Sequence, residues 1–209
     1  MTNFDKATIL IIKIALYMAS IDDEFHDSEA KIIKKWINEK VDIHAKNKNK
    51  RADLKKSYNA VLSKSKILLK SNKIKIDELC SDLSSLNIYG SAEISAFELA
   101  VEIMTVDTKI HPKEASLIHQ LADLLKIPNI EVMETIDRAI LGMSKVPNKI
   151  DIEGLLKIDP TVSNKNADKR FQKEINKWNA ATTSVETDLG RKIAQKMYDL
   201  FSDANDKYA

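Results

Sequence analysis

The sequence predicts an all-α protein, and three observations carry that expectation. Glycine and proline are scarce, four of each in 209 residues, so turn-formers are few. Apolar residues recur at helical spacing through most of the chain. No Asn-Gly or Asp-Gly pair stands between alternating apolar runs, so neither a hairpin nor a sheet is expected. The length suits one large domain or two small ones. A formal net charge of +2 supplies no global field toward nucleic acid or membrane. The lone cysteine, Cys80, rules out an internal disulfide, and no leader segment is evident. Both point to a reducing, cytoplasmic setting.

The elements follow in order. The apolar run from Ile9 to Ala19 is interrupted by Lys13. It is shorter than the roughly 20 residues a membrane helix needs. It therefore predicts a core helix over residues 9–21 and no transmembrane segment. A second helix is expected over 30–39. Next comes a basic stretch, Lys46–Lys75, with eleven lysines and arginines against one acid, Asp53, a net +10. Within it Leu54, Tyr58, Val61, Leu62, Ile67 and Leu68 keep a rough helical period. A short helix around Asp77–Leu86 follows, and Ser91 is placed to cap a helix over 92–106. His111 at a cap position, Pro112 at the first helical position and Glu114 three residues after the cap predict the start of a helix over 113–126. Pro128 marks its end. A further helix over 130–141 should stop at Gly142. Residues Ser144–Asp151, with Pro147 and Asn148, have the composition of a linker, and the section after them has its own helical pattern.

An internal repeat organises the first two-thirds. Shifted by 85 positions, Asp22 falls on Asp107, His26 on His111, Glu29 on Glu114, Ala15 on Ala100, Ala30 on Ala115 and Ile33 on Ile118. Apolar residues match around these identities, as Ile12 with Phe97 and Trp36 with Leu121. A repeated structural unit of about residues 9–39 and 94–126 is implied. In each copy an apolar helix ends near an Asp. A short loop then carries one apolar residue expected to be buried, Phe25 or Ile110, and a second helix begins.

The two loops, Asp22-Asp23-Glu24-Phe25-His26-Asp27-Ser28-Glu29 and Asp107-Thr108-Lys109-Ile110-His111-Pro112-Lys113-Glu114, resemble the signature of the TerB (tellurite-resistance) family. That family carries two such units in one helical domain. The glycine usual after the Asp is replaced here by Asp23 and Thr108. The second unit, through Leu124-Leu125-Lys126-Ile127, also resembles the TerB-like domain of DnaJ-like co-chaperones. The C-terminal section extends that resemblance. Leu155-Leu156-Lys157-Ile158-Asp159-Pro160 with Val162-Ser163 looks like the opening of a J domain. Arg170-Phe171-Gln172-Lys173 is similar to its basic helix, with Lys177-Trp178 near that helix's end. Tyr198, Phe201, Asp203 and Tyr208 resemble the closing helix. Asn179-Ala180-Ala181 stand where a J domain has the His-Pro-Asp tripeptide that stimulates DnaK-type ATPases, in what should be an exposed loop. The resemblance implies a TerB-like pseudo-twofold bundle over residues 1–146 and a degenerate J-domain-like segment over 147–209.

Candidate sites follow from these patterns. Asp22, Glu29, Asp107 and Glu114 offer oxygen ligands for a divalent cation, with His26 or His111 assisting. The simpler expectation, and the favoured one, is that each Glu closes a capping box and each Asp staples loop amides. Lys55 and Lys56 in the basic stretch, and Lys169, Arg170 and Lys173 in the J-like helix, form a candidate basic partner surface. Contact of the Lys46–Lys75 stretch with nucleic acid, acidic lipid or an acidic partner is less favoured than a solvated face, because charged helix faces are common; Tyr58, its only aromatic, gives single strands no stacking platform. Cys80, Trp36 and Trp178 are expected in the core. No Ser/His/Asp set, glycine-rich phosphate loop or zinc-type cysteine spacing is present, so no catalytic residue or cofactor is expected. The expected function is that of a non-enzymatic adaptor that binds a protein partner, in a stress or defence process. The alternatives are an atypical co-chaperone of a DnaK-type chaperone and a divalent-metal-binding stress-resistance protein.

Overall fold

The computed structural model describes residues 2–22, 25–45, 47–70, 74–86, 88, 91–158 and 164–208, and it is all-α. Asp23, Glu24, Lys46, Lys73, Asp159, Pro160, Val162 and Ser163 lie outside the described residues, as do the side chains of Lys66, Lys70 and Lys165. The described chain runs α1 (Asn3–Met18), α2 (Asp27–His44), α3 (Lys48–Lys70), α4 (Ile76–Ser85), α5 (Ser91–Thr105), β1 (Lys109–Ile110), α6 (Pro112–Leu124), α7 (Asn129–Leu141), β2 (Lys149–Ile150), α8 (Ile152–Leu155), α9 (Asn164–Ser184) and α10 (Asp188–Asn205).

All five predicted helices form, with shifted bounds: the first begins at Asn3 and ends at Met18, short of residue 21, the second extends past 30–39 at both ends, and the helix expected over 113–126 ends at Leu124. α1 begins at Asn3 because Thr2 and Asp5 make a capping box: the Asp5 N–H donates to the Thr2 hydroxyl at 3.1 Å, and the Thr2 N–H to the Asp5 carboxylate at 2.9 Å. α1 is central. Ile12, Ile14 and Leu16 are fully buried, and α3, α4 and α5 pack around the helix. In α3, Tyr58 and Ser65 are buried, with Leu54, Val61, Leu62 and Leu69 half-buried beside them. One amphipathic stripe thus seats the basic stretch on α1 and α2.

Two expectations need correction. Lys109–Ile110 and Lys149–Ile150 pair as parallel strands, so a minimal sheet does form. The presumed linker carries β2 instead: Pro147 and Ile150 are buried, and the Asn148 and Lys149 N–H groups donate to the Thr108 carbonyl. A two-residue strand is too short to show periodicity, which is why the sequence hides it. The second correction concerns Phe25. Ile110 is buried, as expected, but its repeat equivalent Phe25 is 39% exposed. Ile110 pairs with Ile150 of the later segment, so the two copies differ where the C-terminal third attaches.

That third is a helical hairpin joined to α6 and α7. α9 and α10 pack against each other, burying Phe171, Trp178, Ile193, Met197 and Phe201. Their turn closes on Gly190, where a Cβ would lie 2.4 Å from the Val185 side chain. α8 packs on α6, and α10 on α7 and α8. His119 of α6 is buried and its Nε2–H donates to the Leu155 carbonyl at 2.9 Å, fastening α8 in place. Burial holds that imidazole below its ordinary pKa, which favours this neutral, donating form.

One tetrapeptide, Leu-Leu-Lys-Ile, ends both α6 and α8. Lys126 (φ 57°) and Lys157 (φ 55°) adopt the left-handed conformation. In each turn the isoleucine N–H bonds back to the residue five earlier: Ile127 to the Ala122 carbonyl and Ile158 to that of Glu153, each at 2.9 Å. The lysine N–H reaches the residue three earlier, Asp123 or Gly154. Both are Schellman caps with a lysine where glycine is usual.

Candidate functional site

The structure gathers the four sequence-predicted carboxylates between the repeat copies. Glu29 and Glu114 are buried in the first turns of α2 and α6. Each accepts a hydrogen bond from the N–H three residues earlier, His26 or His111, at 2.7 Å. The two caps have nearly the same backbone, φ −85° and ψ 151° at His26 against −78° and 146° at His111. His111 adds a second contact, its Nδ1 accepting from the Lys113 N–H at 3.2 Å, and Pro112 occupies the first helical turn. Both glutamates thus act in capping.

The copies also touch each other. The Ser28 hydroxyl donates to the Asp107 carboxylate at 2.9 Å, and the His26 ring lies 3.9 Å from it. Burial pushes both glutamates up to about 7. The backbone N–H bonds oppose this, while the negative charges of Asp22 and Asp107 add to it; at Glu114 the charge of Glu29 does too. Four carboxyls therefore act on one another across the repeat, and at neutral pH the buried pair is partly protonated. Among the described residues no three His, Cys, Asp or Glu side chains converge in a metal-binding group. Asp22 and Asp107 stay half-buried at the loop surface.

The second candidate region lies on the hairpin. Asn179 and Ala180 are exposed and Ala181 is half-buried, but they do not form a loop. α9 runs unbroken to Ser184, and the turn falls at 185–187. The reason is local: the middle position holds Ala, a strong helix former, where a proline would have ended the helix. The Thr182 and Thr183 hydroxyls bond back to the Asn179 and Ala180 carbonyls within the same helix.

One turn before this segment, Lys177 is tied down. Its ammonium donates to Asp137 of α7 at 2.7 Å and pairs with Glu174, which is buried. Burial raises the Asp137 pKa and the Lys177 charge opposes that rise. Lys177 also lies over the Trp178 ring, 5.4 Å from its centroid and within the roughly 6 Å reach of a cation–π contact. Lys169, Arg170 and Lys173 are exposed on α9, and Lys55 and Lys56 on α3, so the two basic sets lie on different helices. Sequence reasoning missed the Lys177–Asp137–Glu174 cluster, of which only the Glu174–Lys177 spacing of three is local while Asp137 is forty residues away, and the paired Leu-Leu-Lys-Ile turns, whose repetition is visible in the sequence.

Comparison with known proteins finds no match: no family model, no curated protein and no solved structure is similar to this chain. The fold and sites define an all-α protein with a capped acidic cluster between two repeat copies and a C-terminal helical hairpin. Among the described residues, no helix is long and apolar enough to cross a membrane.

Proposed function

We propose that the chain is a non-enzymatic adaptor: its TerB-like part binds a protein partner, and its J-like hairpin serves as a docking element without chaperone stimulation. The observation that carries this reading is the state of the segment Asn179-Ala180-Ala181. It offers no imidazole, rigid proline or carboxylate, it is helical, and the lysine beside it is engaged by Asp137. A single-turnover ATPase assay with the host's own DnaK-type chaperone tests it. No stimulation is expected. Stimulation matching that of a complete J domain refutes the adaptor reading and favours an atypical co-chaperone working through the exposed Lys169, Arg170 and Lys173. A tagged pull-down from the host would then name the partner.

A second reading has one observation in its favour. Asp22, Glu29, Asp107 and Glu114 share one electrostatic environment, as a divalent-cation site in a stress-resistance protein requires. Glu29 and Glu114 must lose their protons to bind a cation, so affinity would rise with pH through about 7 and binding would release protons. Calcium, magnesium or zinc should then raise the melting temperature by mass action. An Asp22→Asn, Glu29→Gln pair should abolish the rise. No rise at millimolar cation leaves the capping role alone.

A further inference from the structure

The charge of this chain is divided very unevenly. The whole carries +2, and Lys46–Lys75 carries +10, so the remainder carries −8. The structure puts most of that positive stretch on one outer helix. Lys48, Lys50, Arg51, Lys55, Lys56 and Lys64 are all exposed along α3, with Asp53 the one acid among them. Among the described residues Arg51 alone of these six has a carboxylate partner, Asp42 at 2.6 Å. At about 1.5 Å per residue, the 23 residues of α3 make a straight ridge of roughly 35 Å.

We propose that this outer face of α3 docks on an anionic lipid bilayer. Two features favour a bilayer over other polyanions, and a third sets how the molecule faces it. The first is apolar: Ile67 is 70% exposed and stands eleven residues from Lys56, so both lie on the stripe opposite buried Tyr58. An isoleucine beside lysines suits the boundary between headgroups and acyl chains, where lysine stems lie along apolar surface and their charges stay in water. The second feature argues against single-stranded nucleic acid. Tyr58, the only aromatic in the stretch, is 1% exposed and its hydroxyl donates to Asp5 at 3.5 Å, so no base can stack on it. The third is the acidic remainder, which an anionic surface repels. The molecule is therefore oriented with α3 toward the membrane, and contact is peripheral.

The test is vesicle co-sedimentation of the full chain. Vesicles of phosphatidylcholine alone are compared with vesicles containing about one-third phosphatidylglycerol, at low and at physiological salt. Binding is expected only to the anionic vesicles, and should weaken as salt rises. The triple variant Lys55→Glu, Lys56→Glu, Lys64→Glu should bind at least about a hundredfold more weakly, since each lysine near the surface is worth about a factor of five. A second triple variant, Lys109→Glu, Lys145→Glu, Lys192→Glu, makes the same change of net charge at exposed sites elsewhere and should bind like the parent. Ile67→Ser should weaken binding without altering the melting temperature. The proposal is overturned by equal binding to neutral vesicles, by equal losses in the two triple variants, or by wild-type affinity in Ile67→Ser. It is also overturned if duplex DNA binds while anionic vesicles do not, which would make the ridge a nucleic-acid surface.

Discussion

Replacing Glu114 with glutamine should stabilise the protein above neutral pH and leave it unchanged in mild acid. In the unfolded chain this carboxyl titrates near 4.5; in the fold, burial and the charges of Asp22, Glu29 and Asp107 push it up to about 7. Between those values the folded state holds a proton that the unfolded state lacks. Stability is therefore full below about 4.5 and declines as pH rises toward about 7. Each pH unit of that window is worth about 1.4 kcal/mol, which gives an upper bound of roughly 3 kcal/mol for this one group. Glutamine keeps an oxygen to accept the His111 N–H and carries no charge, so it retains the cap and removes the penalty. At about pH 8 the variant should gain up to roughly 3 kcal/mol, or about 6–12 °C in melting temperature for a chain of this size. Near pH 4.5 the two proteins should melt together. Thermal melts followed by circular dichroism across this range supply the comparison. A variant less stable than the parent at high pH, or a difference that does not change with pH, would refute the reasoning.

Three further expectations rest on single contacts. Lys177→Ala leaves Asp137 and buried Glu174 without their cation, so the fold should lose about 1–3 kcal/mol, and emission from buried Trp178 should shift to the red in a Trp36→Phe background. An unchanged emission maximum would mean that the lysine does not hold the hairpin. Lys126→Gly removes a side chain from a left-handed position, φ 57°. A gain of about 0.5–1 kcal/mol is expected from urea unfolding midpoints, and a loss would contradict the strain argument. Cys80 is fully buried and burial pushes its thiol up to about 12. It should resist alkylation in the native protein and react promptly once unfolded; fast native labelling would show that the site opens.

The parts of the molecule that were legible are those written in local code. The apolar periods of α1, α5, α6 and α7 and the His111-Pro112-Glu114 start signal each lie within a few residues, and each marks a helix that forms, α1 with shifted ends. Glu29 and Glu114 could be paired from the sequence because the repeat superposes them. What stayed hidden depends on distant partners. Phe25 and Ile110 look alike in the sequence, yet only Ile110 is covered, because its strand partner lies at Ile150. Thr2 and Asp5 begin α1 ahead of its apolar run, so the period alone places the start too late. The loop expected at Asn179-Ala180-Ala181 was inferred from a resemblance, while the residues themselves favour the helix they adopt.

The unbroken course of α9 makes Asn179-Ala180-Ala181 a poor place for a rigid turn. A proline placed at Ala180 would enter a helix interior, where it removes a backbone hydrogen bond and clashes with the preceding turn at a cost of about 3 kcal/mol. The hairpin's reversal point lies at 185–187, and Gly190 fits closely against Val185 and Thr187 there. Writing His-Pro-Asp over these three positions would install the letters and not a loop. The helix, more than the side chains it carries here, decides what this segment can present to a partner.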